Sequence, residues 1–106
     1  ALPIFMIHAE VSIYPLATKT PSVSFYIAKA IETIQNVEGI KYEINSMGTS
    51  FESDSLETIN KVIQQMTEEV HNLGIERVEV VVKIDSRRDK NQKMSEKIES
   101  VKKFLN

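Results

Sequence analysis

A chain of 106 residues fits one domain, and 42% apolar with 26% charged residues is an ordinary globular composition that argues against disorder. Thirteen basic residues against 15 acidic ones leave a net charge of −2, without the concentrated basic surface that nucleic-acid binding uses. The absence of cysteine excludes disulfides, thiol catalysis and thiolate metal sites, and it fits a reducing compartment; a cytoplasmic protein is expected.

The apolar start, ALPIFMI, is too short to span a membrane and lacks a basic region and a cleavage signal. Residues 1–5 are expected to be a cloning remnant or a disordered start, with Met6 as the natural beginning of a single domain over 6–106. From Ile7 to Tyr14, Ile7, Ala9, Val11 and Ile13 alternate with His8, Glu10, Ser12 and Tyr14, a period of two that predicts a strand with one buried face. Pro15 ends it. Thr18 to Ser22 reads as a loop, with Thr20 or Ser22 capping the next helix and Pro21 near its first position. Val23, Ile27, Ala30, Ile31, Ile34 and Val37 follow helical spacing, and Gly39 is expected to stop that helix.

Ile40 to Ser46 predicts a second strand, with Tyr42 and Ile44 facing one way and Lys41, Glu43 and Asn45 the other. Ser46-Met47-Gly48 allows a tight reversal into a third strand over Thr49 to Ser53. Asp54 or Ser55 opens a second helix, with Asp54 and Glu57 spaced as a capping box, and Gly74 closes it. Val78 to Asp85 predicts a fourth strand. A charged connection over 86–93 leads to a last helix from Met94 to about Leu105.

Strand, helix, strand, strand, helix, strand, helix closes most simply as an α+β, ferredoxin-like βαββαβ fold. Its four-stranded antiparallel sheet carries two helices on one face, and the third helix is extra. The open face should carry Glu10, Ser12, Glu43, Asn45, Lys83 and Asp85. Tyr14, Met47, Val81 and Phe51 are candidates to share it. A second subunit or the last helix could cover it.

Four strings carry a family resemblance: AEVSIYPL at 9–16, VSFYIAKAIETI at 23–34, KYEINSMGTSFES at 41–53 and VKIDSRRDK at 82–90. No one of them is specific, but their order and spacing together resemble the thiamine-binding protein family, once grouped as an uncharacterised conserved family. The resemblance implies a ferredoxin-like fold with an added C-terminal helix and homo-oligomers, dimers paired into tetramers. It implies binding of thiamine or its hydroxymethylpyrimidine portion; enzymatic activity is not an established trait of the family, and neither a reaction nor a cofactor is expected for this chain. One departure is visible. The family's loop after the first strand reads proline, leucine, glycine, threonine, whereas this chain has Pro15-Leu16-Ala17-Thr18, and alanine disfavours a positive φ there.

Candidate ligand contacts are Glu10, Tyr14, Thr18, Asn45, Thr49 and Glu52. Carboxylates suit a ring amine or a thiazolium cation, hydroxyl and amide groups suit a pyrimidine edge, and Tyr14 suits stacking. Each has a plainer reading: cross-strand pairing of Glu10 and Glu52 with Lys83 or Lys41, and turn chemistry for Asn45 and Thr49. Lys83, Asp85, Arg87 and Asp89 read as an oligomer contact or an anion site rather than as catalytic groups. His8 and His71 lack metal-ligand spacing. A self-association module without a small-molecule ligand is the alternative function.

Overall fold

The computed structural model describes residues 4–105. Three of the predicted strands and two of the three helices lie within a few residues of their expected bounds; the first helix starts as expected but ends early. The elements are β1 (Ile7–Pro15), α1 (Ser24–Glu32), β2 (Ile40–Ile44), β3 (Thr49–Ser53), α2 (Leu56–Asn72), β4 (Val78–Ser86) and α3 (Met94–Lys102), and β3 matches outright. The sheet order is β2-β3-β1-β4, with every neighbouring pair antiparallel. That is the ferredoxin-like arrangement. Of the segment expected to be a remnant, residues 1–3 lie outside the described residues.

The strand alternation places Ala9, Val11 and Ile13 beneath α1 and α2. Phe51 on β3 lies opposite Ala9, so it belongs to this core and not to the open face where it was a candidate. Ile34, Ile59, Val62, Met66 and Val70 complete the buried layer from the helix side. Tyr42 packs against the same core, as its parity predicts.

Three local expectations are corrected. Val23, not Thr20 or Ser22, holds the N-cap position of α1, and no side chain caps that helix. The loop bonds within itself instead: Thr20 Oγ1 donates to the Ser22 carbonyl, and Thr18 Oγ1 donates to that of Thr20. The helix also ends seven residues before Gly39. Thr33 Oγ1 donates to the Ala30 carbonyl at 2.7 Å, and the chain tightens into three-residue turns through Ile34 and Val37. A hydroxyl that bonds a preceding carbonyl competes with helix propagation. Finally, α2 is capped by Ser55, whose Oγ accepts the Thr58 N–H at 3.2 Å; Asp54 stays outside the helix and forms no capping box.

Gly48 has a packing reason. A Cβ there would sit 2.9 Å from the Val11 carbonyl oxygen and 3.0 Å from Ser12 Oγ. Only glycine lets the hairpin turn lie against β1. Ser12 Oγ then donates to the Met47 carbonyl at 2.9 Å and tacks the turn in place.

Candidate functional site

Two clefts flank the β2-β3 hairpin. The first lies at its turn. β1 pairs with β3 only as far as Val11↔Thr49, whereas it pairs with β4 through Pro15↔Val78. Beyond Val11 the β3-side edge of β1 therefore has no partner strand. A cleft of about 480 Å³ opens there, beneath the start of α1. Its walls are mainly apolar, from Val11, Ile13, Ile27, Ile31 and Met66. Ser12, Tyr14, Ser24 and the turn from Asn45 to Thr49 supply the polar groups.

Thr49 is the polar group best placed inside. Its parity puts it on the helix side of the sheet beside Val11, and it is only 3% exposed. Its hydroxyl makes no hydrogen bond among the described residues, yet it is not among the sealed, unpaired atoms; Gln65 Oε1 is the one such atom among them. The Thr49 Oγ1 therefore reaches the cleft. α1 has no side-chain cap; the Tyr26 and Ile27 N–H groups donate to the Val23 carbonyl at 3.0 and 3.2 Å, which leaves the N–H groups of Ser24 and Phe25 as the orphan donors at this helix start. Asn45 closes the turn by donating its backbone N–H to the Gly48 carbonyl at 2.8 Å, and its side-chain amide donates to Ser50 Oγ at 2.7 Å. That leaves the amide oxygen available. Tyr14, about half exposed, stands at the mouth with Met47 and Ile44.

The second cleft, of about 500 Å³, lies on the open face between the sheet and α3. Glu10 and Asn45 line it, with Glu43, Ser50, Lys83, Asp85 and His8. Cross-strand register sets Glu43, Ser50, Glu10 and Lys83 in one row and Lys41, Glu52, His8 and Asp85 in the next.

The structure thus divides the predicted contacts. Tyr14 and Thr49 go to the turn cleft, Glu10 to the open-face cleft, and Asn45 borders both. Thr18 is half-buried and bonded to its own turn, and it lines neither cleft. Glu52 has another task. It is buried, its Oε1 lies 3.3 Å from His8 Nε2, and the same oxygen accepts the Met94 N–H at 3.0 Å. The carboxylate is used to seat the N-terminus of α3, where a helix favours negative charge. Ser24 and the start of α1 also suit a ligand oxygen on the sequence alone, and Ser24 does line the turn cleft; what the sequence reading did not anticipate is that the helix start carries no side-chain cap. The signal was present in Val23, an apolar residue where a capping side chain would stand.

The charged segment after β4 also differs from a shared anion site. Asp85 pairs with Lys97 of α3 at 2.5 Å, and the hydrogen bond and charge of Lys97 hold its carboxyl below the usual range. Arg87 grips Asp89 through Nε and Nη2, the latter at 2.7 Å. That hydrogen bond pulls Asp89 down to about 2 and raises Arg87. A carboxylate of the chain itself occupies the place an external anion would take. Lys83 is the remaining member of the set, and it faces the open-face cleft.

Ala17 carries the most informative backbone angle. Its φ is +60°, the sole positive value outside glycine among the described residues. The loop keeps the left-handed turn despite the alanine, contrary to what the side chain prefers.

Among the described residues no helix is long and apolar enough to cross a membrane. Comparison with known proteins gives consistent relatives. A UPF0045 protein of Methanothermobacter thermautotrophicus is 38% identical over 100 residues, covering 94% of this chain and all of the relative. The UPF0045 protein YqgV of Bacillus subtilis is 42% identical over 100 residues, covering 92% and 95% respectively. The crystal structure of the hypothetical protein MJ1052 of Methanocaldococcus jannaschii superposes with a TM-score of 0.82 at 37% identity, covering 93% of this chain and 98% of that one. The family model described as "Thiamine-binding protein" matches residues 9–102, and the chain belongs to that family.

Proposed function

We propose that the protein binds thiamine, or its hydroxymethylpyrimidine portion, in the cleft at the hairpin turn, and that it catalyses no reaction on it. The observation that carries this reading is the buried, unpartnered hydroxyl of Thr49, set in a mostly apolar cleft of ligand size. An aminopyrimidine presents ring nitrogens that accept and an amine that donates. The N–H groups of Ser24 and Phe25 at the start of α1 supply donors, and Thr49 Oγ1 with the Asn45 amide oxygen supplies acceptors. Tyr14 offers a face for the ring at the mouth. The pyrimidine goes inward and the thiazolium outward, because the positive end of a helix dipole disfavours a cation.

Family membership supports the ligand class. The absence of catalysis is supported by the walls themselves: apart from the Tyr14 phenol, no titratable side chain lines this cleft among the described residues. General acid–base chemistry has little to work with there.

The protein works as a homo-oligomer in this reading. Its described part measures 46 × 41 × 20 Å with a radius of gyration of 15.4 Å, against about 13 Å for a compact domain of this length. α3 has no buried residue, and Ile98, Val101, Phe104 and Leu105 are exposed, Phe104 by 88%. A second subunit would cover apolar surface of this kind. Calorimetric titration with thiamine and with hydroxymethylpyrimidine tests the ligand, and sedimentation across a concentration range tests the assembly. Saturable heat with either ligand, together with a species larger than the monomer, is expected. No heat and no thermal shift at millimolar ligand would remove the binding function and leave the self-association module.

A further inference from the structure

We infer that the homo-oligomer proposed above, on which this rests, is built by pairing the outer edge of β4 with the same edge of a second copy, antiparallel and centred on Val81. β4 is a terminal strand of the sheet and nine residues long, whereas β2 at the other edge has five. Among the described residues no strand lies on its outer side. The Arg77 carbonyl accepts the Leu16 N–H at 3.0 Å, so by the antiparallel alternation the odd-numbered residues of β4 bond inward to β1. Val78, Val80, Val82 and Ile84 therefore turn their backbone N–H and C=O groups outward. Proteins blunt such an edge with proline, a bulge, a short strand or charge. β4 runs in unbroken register with β1 from Val78 to Ser86 and contains no proline, so charge is its only guard.

Those charges match themselves in one register. With a two-fold axis at Val81, Glu79 stands opposite the partner's Lys83 and Arg77 opposite the partner's Asp85, each pair occurring twice. These odd-numbered positions form the non-hydrogen-bonded pairs, where the strands approach to about 4.5 Å and cross-strand charges interact most closely. Moving the axis to Val80 sets Arg77 against Lys83, and moving it to Val82 sets Glu79 against Asp85. An axis at Glu79 or at Lys83 sets that charge against its own copy. The groups are free to pair: among the described residues Lys83 has no ion-pair partner within 4.0 Å, and Glu79 meets only the exposed Arg77, at 3.8 Å. Lys97 takes Oδ2 of Asp85 and leaves Oδ1 for a second donor. The same register covers apolar surface. Val82 and Ile84 lie on the helix side of the sheet, opposite Val11 and Ala9, yet they are 39% and 41% exposed. They meet the partner's Val80 and the partner's Val78, while Val81, 60% exposed on the open face, meets its own copy.

Charge reversal tests the register, read by sedimentation equilibrium at low ionic strength, with circular dichroism as the check of folding. Lys83→Glu alone and Glu79→Lys alone each set like charges opposite one another twice, and each should weaken self-association by about tenfold or more. An equimolar mixture of the two variants restores opposite charges at both positions and should associate about as tightly as the parent. In the associated parent, the outward N–H groups of Val80 and Val82 should exchange slowly with solvent; fast exchange there overturns the pairing without any variant. Single variants that associate as well as an associating parent, or a mixture no tighter than either variant alone, overturn the β4 register and leave the homo-oligomer to the exposed face of α3. A parent that is monomeric at every concentration removes the homo-oligomer itself, and this interface with it.

Discussion

His8 Nε2 and Glu52 Oε1 lie 3.3 Å apart on adjacent strands, both buried, on the sheet face opposite α1 and α2. The same Glu52 oxygen holds the Met94 N–H, 42 residues away in sequence. One carboxylate thus fixes a histidine ring and the start of the last helix.

Removing that carboxylate should loosen both. We predict that Glu52→Ala destabilises the fold by about 1–3 kcal/mol, since it leaves a buried imidazole N–H and a part-buried backbone N–H without their acceptor. Glu52→Gln keeps an acceptor oxygen and should cost less. Urea denaturation of the two variants checks this; equal, negligible losses would show that Glu52 does not anchor α3.

The hairpin contact makes a similarly local prediction. Gly48→Ala pushes a methyl group against the Val11 carbonyl and Ser12 Oγ. A loss of about 1–3 kcal/mol is expected from such overpacking, together with weaker ligand binding as the turn moves off β1. Thermal melts and titration of the same variant measure both effects. A variant as stable as the parent would mean the turn has room to spare.

Ala17 should behave in the opposite sense. Its φ of +60° costs about 1–2 kcal/mol in a residue with a Cβ, and glycine removes that cost while giving back part of it in unfolded-chain entropy. Ala17→Gly is therefore predicted to raise stability by up to about 1 kcal/mol, or several degrees in melting temperature. A lower melting temperature would contradict the left-handed loop.

The alternation of Ile7 to Tyr14 and the helical spacing of the α2 stripe were enough to predict the layers, because period two and period 3.6 each mark one buried face. The side on which Thr49 falls was not legible. It depends on how many residues the 45–48 turn consumes, and a one-residue difference sends every β3 side chain to the other face. The task of Glu52 was hidden for another reason. A carboxylate on an open face looks free until a helix from far along the chain lands on it. The start of α1 was misread because Thr20 and Ser22 have capping chemistry, but the Thr20 hydroxyl donates to the Ser22 carbonyl and neither side chain caps the helix.

Acid should break the Asp85–Lys97 tether of α3 only at a pH below the ordinary aspartate range. The Asp85 carboxyl is held below its ordinary value by Lys97, so the ion pair contributes above the unfolded carboxyl range and is lost as pH falls through the lowered folded value. Asp89, drawn down to about 2 by Arg87, follows the same sign and should keep its charge to still lower pH. Carboxyl NMR titration should give an Asp89 midpoint near 2 and an Asp85 midpoint below that of a free aspartate. Ordinary midpoints for both would mean the pairs are not formed in solution.

The most direct test of the proposed ligand site compares the parent with Thr49→Val in calorimetric titration with hydroxymethylpyrimidine. Valine keeps the shape of a buried threonine and removes one hydroxyl that has no internal partner. Affinity should fall roughly three- to tenfold, the size of one hydrogen bond, with little change in melting temperature. Unchanged affinity in a stably folded Thr49→Val protein would contradict binding in the turn cleft.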